Sequence, residues 1–435
     1  MMRKLLAAFL AALTVALTAV SARAGGEAGS VEQEIQRLKE RLDALEKRAG
    51  TAFDVQWRDG LLFQSADKMF RLTIGGRVFN DWAKFDADSD LESRFGADKF
   101  DSGVEFRSAQ LAIAGTIYDT VEFKWEYDFT DRKGEATAIK DMYLGMRKVP
   151  VVGNIRIGRF YEPLGLETQN SERYLTFMER GLSARLTPSR STGIMFHGPI
   201  MGEMVNYQVG AFKPSGDDGA NKGGSFKYTG RLFASPWYEE QGRHVLHLGV
   251  SGSHRDLDKD YDKAQVEYKA RPESNMAPDL VSTGKINGVD EVTLTAAEAA
   301  LVHGPFSLQG EYVRSSLDRA AGSGLSFSAW YLYASYFLTG ENRAYSRSTG
   351  TFGRIKPRDN FRSKDGGLGA WEVAARYSAI DLDDKDVRGG RLSDVTVGIN
   401  WYLNPNTRVM ANYVHADRKD VGNAHIGQLR LQFDF

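Results

Sequence analysis

The 435-residue chain is 42% apolar and 26% charged, with 56 Lys+Arg set against 57 Asp+Glu. It has no cysteine, which excludes a disulfide scaffold, a thiolate metal centre and a cysteine nucleophile. The near-neutral balance argues against a nucleic-acid partner, and the length suits either two or three soluble domains or one large β-barrel.

Residues 1–24 have the layout of a signal peptide. Arg3 and Lys4 precede an uncharged apolar run from Leu5 to Val20, and Ala22-Arg23-Ala24 supplies the small-x-small cleavage pattern. The run is short for a membrane anchor helix, the alternative reading. Cleavage after Ala24 leaves 53 positive against 57 negative side chains, a net charge of −4. Over 25–50, Val31, Ile35, Leu38, Leu42 and Leu45 follow a 4-3-4-3 spacing that ends at Gly50. So short a heptad seam is marginal alone. The expectation is a self-associating coiled-coil arm in the periplasm; a single amphipathic helix lying on its own domain is the alternative.

From residue 51 onward the expectation is an all-β barrel domain, 51–435. Phe70, Leu72, Ile74 and Val78 alternate with Arg71, Thr73 and Arg77. In Val121–Phe129 every odd position is apolar or aromatic and every even position is charged. Such a strand suits a wall between lipid and a wet lumen. Trp371–Ser378, Val395–Leu403 and Leu429–Phe435 repeat the pattern, and a terminal strand ending in Phe is the usual ending of an outer-membrane barrel. About seventeen such segments can be marked, and even strand numbers are favoured, so sixteen strands are expected, with eighteen the alternative. A barrel of that size encloses an aqueous channel. A soluble β-sandwich does not explain the signal peptide, the aromatic-bounded alternation and the terminal Phe together.

Lumen parity turns Arg71, Arg77, Lys124, Arg231 and Arg376 inward, where each either meets a solute or pairs with a neighbouring carboxylate. Segments 81–104 and 381–392 are polar and suit outer loops. Residues 81–101 carry seven acids against three bases, and Asp86, Asp88, Asp90 and Glu92 faintly resemble a calcium loop without its glycine; no metal site is expected there. Segment 161–190 is too long for a hairpin loop. Its Glu162, Glu167, Glu172 and Glu179 balance Arg173, Arg180, Arg185 and Arg190, and it reads as a constriction loop held by pairing its charges with the wall. In the balanced stretch 254–271, Lys259 and Lys263 are candidates to hang into the channel. Segment 340–368, with Arg354 and Arg358 among its seven cations, nets +4 and falls on the periplasmic side. The seven histidines show no catalytic spacing, and His244 and His247 fall on opposite faces of one strand, so no enzyme, no metal site and no cofactor are expected.

Several motifs in order resemble the phosphate-selective porin O and P family: Gly158–Glu167 (GRFYEPLGLE), Arg173–Arg180 (RYLTFMER), Arg271–Ser274 (RPES), Gly304–Phe306 (GPF), Tyr331–Glu341, Gly369–Tyr377 and Asn400–Asn404. The resemblance covers roughly residues 55–435. It implies a sixteen-stranded outer-membrane barrel working as a homotrimer, with segments folded back into the lumen and basic side chains lining a path for phosphate or polyphosphate. Applied to this chain, it implies that the basic connection 340–368 folds into the barrel mouth. The resulting expectation is passive anion diffusion, with inorganic phosphate as solute and lipopolysaccharide and membrane lipid as surroundings. A weakly selective general porin and an envelope-tethering barrel are the alternatives.

Overall fold

In the computed structural model the described residues are 33–41, 53–130, 138–215, 224–257, 264–363 and 366–435. The signal peptide lies outside them, as do Val31, Leu42 and Leu45 of the heptad seam. Residues 33–41 are helical, with Leu38 exposed.

The dominant feature is an 18-stranded antiparallel sheet. Sixteen of its strands form a closed wall: Phe70–Ala87, Gly103–Ile117, Val121–Asp128, Ala138–Val149, Gly153–Tyr161, Arg190–Met201, Val205–Pro214, Lys227–Glu239, His244–Asp256, Val289–His303, Phe306–Arg319, Leu325–Phe337, Ala370–Asp384, Val387–Asn404, Thr407–Arg418 and Gly422–Asp434. The last pairs with the first, Ala424 opposite Ala87 and Phe433 opposite Val78, which closes the barrel. The two remaining strands, Phe53–Trp57 and Leu61–Ser65, form a hairpin. Leu61–Gln64 pair with Arg71–Ile74, taking the edge of the first wall strand beyond the point where the C-terminal strand stops. At that junction Gly76 and Phe435 exchange backbone hydrogen bonds of 2.8 and 3.0 Å, and Trp57 stacks on the Phe435 ring. A Cβ on Gly76 would lie 2.6 Å from the Gln110 carbonyl, so only glycine lets the chains approach this closely.

The period-two pattern explains the wall. Val395, Val397 and Ile399 point outward and are nearly half exposed, whereas Asp394, Thr396 and Asn400 point inward and are fully buried. Trp82, Trp330, Tyr377 and Tyr413 stand among the exposed outer residues, as an aromatic-bounded membrane band requires. Buried inner polar groups mean that the lumen is partly filled. Three segments fill it: 162–189 and 264–288 enter from the end carrying longer loops, and 338–369 enters from the end carrying short turns. The last makes the inward fold implied by the resemblance: the Tyr345 hydroxyl bonds His247 Nδ1 at 2.7 Å, and the Phe352 N–H donates to Asn170 Oδ1 at 2.9 Å.

Two expected loops are corrected. Residues 381–392 are not a loop but the tips of two strands joined at Lys385-Asp386, with Asp381 opposite Arg391 and Asp384 opposite Val387. Arg391 pairs with Asp381 at 3.0 Å and with Asp383 at 3.6 Å, so this polar stretch is stable as a strand above the apolar band. Within 81–104, Asp81 belongs to the wall and pairs with Arg430 at 2.6 Å. Outside the strands only 88–102 remain, including the helix Ser89–Phe95, whose Leu91 is buried; the Asp88 carboxylate accepts the Asn423 N–H at 2.7 Å.

Candidate channel constriction

Segment 162–189 leaves the wall at Tyr161 and crosses the lumen before Arg190 rejoins it. Irregular backbone inside a barrel needs partners for its polar groups. The wall supplies them largely through arginine. Arg408 donates to the carbonyls of Leu175 (2.8 Å) and Arg173 (3.3 Å), Arg430 to Met178 (2.6 Å), Arg376 to Glu179 (2.9 Å), and Asn400 to Thr176 (2.8 Å). Glu311 accepts the N–H groups of Leu166 and Glu167 at 2.7 and 3.1 Å. Gly165, next to this contact, has φ +78°, and a Cβ there would stand 2.8 Å from Glu311 Oε1.

The segment's own carboxylates bind the wall in return. Glu162 accepts from Ser191 Oγ (2.6 Å), Thr229 Oγ1 (2.9 Å) and Lys227 Nζ (3.0 Å). Glu172 bridges Arg77 (2.8 Å) and Arg180 (3.1 Å). Glu179 takes a two-pronged bond from Arg107 at 2.7 and 3.0 Å and a third from Arg430 at 3.1 Å. Burial alone would raise the Glu179 pKa, but Arg107 and Arg430 outweigh it and hold the group at about 2. Arg77 and Arg107 likewise overcome the burial of Glu172 and keep it well below the ordinary carboxylate range.

Most of the inward cations singled out in the sequence are engaged. Arg77 also donates Nε to Ser108 Oγ at 3.0 Å, and Lys124 sits between Asp141 (2.6 Å) and Glu126 (2.7 Å). Arg231 is buried against Glu298 and reaches the carbonyls of Thr349 (3.3 Å) and Gly350 (3.0 Å), so it clamps the inserted connection. Arg376 has no exposed side-chain surface. It donates to Glu273, to Glu167 at 3.2 Å and to the Glu179 carbonyl, and it lies over the Phe177 ring. Arg354 pairs with Asp59 and Asp434. Arg358 is exposed and caps the Gly340 carbonyl at 2.6 Å, and Arg71 is exposed near the short-turn end. Lys259 and Lys263 lie outside the described residues. Arg180 pairs with Glu172, whereas Arg173 and Arg185, both half-buried, form no ion pair with a described residue.

The structure adds cations that parity missed. Arg107 is the extra residue of a β-bulge: Phe79 faces Ser108 and Asn80 faces Phe106, so Arg107 and Ser108 both turn inward. The signal was present as a phase slip, since outward residues are even at Val104 and Phe106 but odd from Leu111. Arg190 pairs with Asp141 at 2.6 Å, and its guanidinium lies 3.9 Å from the Tyr161 ring centre.

Two cavities flank the constriction. The one toward the short-turn end has about 310 Å³; it presents Arg77, Lys124, Arg173, Arg180 and Arg190 against Asp59, Glu126, Asp141 and Glu172. The one toward the loop end has about 150 Å³ and presents Arg107, Arg180 and Arg185 against Glu179 alone. Tyr161 and Arg180 line both and so stand at the boundary between them. Guanidinium groups lining a lumen donate paired hydrogen bonds to carboxylates and to small anions alike.

The family model described as "Phosphate-selective porin O and P" matches residues 72–435. The chain belongs to that family. It is an outer-membrane porin, a channel without a catalytic step. Porin O of Pseudomonas aeruginosa is 26% identical over 412 residues, covering 86% of this chain and 89% of that protein. Among solved structures, the anion-selective porin from Comamonas acidovorans superposes with a TM-score of 0.51 at 14% identity, over 84% of this chain and 100% of that one. The trimer form of OmpT, an outer membrane protein of Vibrio cholerae, gives 0.50 at 12% identity over 84% and 99%. These two likenesses show the porin fold.

Proposed function

We propose that this porin passes small anions, phosphate or polyphosphate first among them, by diffusion through the neck at Tyr161 and Arg180. The observation that carries the reading is the loop-end cavity, where three arginines face one carboxylate. The family and the name of the Comamonas porin support it. Arg173 and Arg185, which have no ion pair with a described residue, are the groups assigned to the solute; Arg77, Lys124 and Arg180 set the field but are already compensated. Arg231, Arg354 and Arg376 hold inserted segments in place. A phosphate exchanges part of its hydration for paired guanidinium bonds at each step, and compensation by Glu172 and Asp141 keeps each site weak enough to release it.

The rest of the reading follows from export. Residues 1–24 are cleaved, the short-turn end faces the periplasm, and the helical arm lies there. The barrel works as a homotrimer, the state named for the Vibrio protein, and it sits among lipopolysaccharide and membrane lipid. The short-turn cavity favours a second reading, a weakly selective general porin, because four carboxylates offset five cations there. Chloride current through single channels, with inorganic phosphate titrated in, separates the two. Saturable block at low phosphate supports the phosphate channel. Undiminished current supports the general porin.

A further inference from the structure

We propose that His254, Asp256 and Glu291 form a divalent-cation site on the outside of the barrel, at the end carrying the longer loops. The site lies on the membrane-facing wall and is independent of the lumen. His254 and Asp256 are two residues apart on the strand His244–Asp256, so they share a face. Across the ladder, Asp256 stands directly opposite Glu291 and His254 opposite Thr293. All three candidate ligands are exposed, and their donor atoms lie within 4.8 Å of one another.

Two features favour a bound ion over an accidental cluster. Directly opposed carboxylates on an antiparallel pair repel one another. Glu291 has no ion pair with a described residue to relieve this, and the partner of Asp256 is His254 at 3.3 Å, a cation only when protonated. The ring of His254 is also oriented. Its Nδ1 bonds Thr293 Oγ1 at 2.9 Å, which leaves Nε2 turned toward Asp256 Oδ1, the arrangement seen where an outer hydrogen bond sets a metal-binding histidine. One imidazole nitrogen with two carboxylate oxygens suits zinc or a similar borderline cation better than calcium or magnesium, which prefer oxygen alone. Ligand atoms around a zinc ion stand about 3–4 Å apart, so a small side-chain closure completes the set. The open coordination positions then face the membrane surface, where water or a phosphate oxygen of a lipid headgroup can fill them.

The test is zinc binding by calorimetry on the folded porin in detergent, beside the variants H254A and E291Q. Heat-modifiable migration on gels establishes that each variant is folded. The proposal predicts that H254A binds one Zn²⁺ fewer per chain with unchanged single-channel conductance. It also predicts that E291Q weakens that site at least tenfold while raising metal-free thermal stability, because the facing carboxylate is gone. An unchanged zinc stoichiometry in H254A would overturn it. So would E291Q that binds zinc as the parent does.

Discussion

Replacing Arg376 with Met tests whether the constriction is held by buried ion pairs. The wild-type guanidinium is fully enclosed and serves Glu273, Glu167 and the Glu179 carbonyl together. Methionine keeps most of the volume but leaves Glu167 and Glu273, 3% and 1% exposed, facing no cation at that point. Removing one partner of a buried pair costs about 3–5 kcal/mol. The wall strand Ala370–Asp384 keeps its backbone ladder to both neighbours, so the cost falls on the docking of 162–189 and 264–288 rather than on the barrel. At about 1.4 kcal/mol per decade, the ratio of docked to released loop falls by roughly a hundredfold to a few thousandfold. Planar-bilayer recording of Arg376→Met is expected to show larger, flickering single-channel conductance, with new proteolytic cuts inside 162–189. Arg376→Lys, which keeps the charge but loses the fork, is expected to fall between. Arg376→Met channels with parental conductance and protease resistance would refute the clamp.

Further outcomes follow from the same geometry. Arg173→Gln and Arg185→Gln should each lower the anion-to-cation permeability ratio. The effect is at most about fivefold, since a unit charge at 4 Å in a watery lumen is worth about 1 kcal/mol; unchanged reversal potentials in both would remove these residues from the solute path. Glu172 and Glu179 are depressed, so their contribution to loop docking is complete above the normal carboxylate range and is lost as pH falls through about 2, the value for Glu179. Bilayer conductance of the Glu162→Gln/Glu167→Gln pore, in which Glu172 and Glu179 are the loop carboxylates left to titrate, should therefore hold from pH 7 to 4; loop release near pH 5 would contradict this assignment. Deleting Phe435 removes two backbone bonds to Gly76 and the Trp57 stack, together about 2–3 kcal/mol at the seam, and should reduce the heat-resistant folded fraction.

The wall was largely legible because alternation survives wherever lipid and lumen are separated by one strand, as in Val121–Asp128. The sixteen wall strands and the extra hairpin share that periodicity, so only pairing separates Phe53–Ser65 from the barrel. Parity turned Arg77, Lys124, Arg231 and Arg376 toward the lumen but did not tell which acids meet them. The partners of Arg376 are 209 and 103 residues away in sequence, on two different inserted segments. Arg107 escaped because a bulge adds one residue and shifts the phase. Polarity misled at 381–392: strands that rise above the apolar band need no apolar outer face, and cross-strand Asp–Arg pairs serve instead.

Anion preference at a neck lined by arginine is tested most directly by the reversal potential of the purified porin across a tenfold KCl gradient. The account predicts a potential displaced toward the chloride equilibrium value and lowered by the paired Arg173→Gln and Arg185→Gln substitutions. A potential displaced toward the potassium value would contradict it, because the carboxylates of the lumen would then outweigh its guanidinium groups.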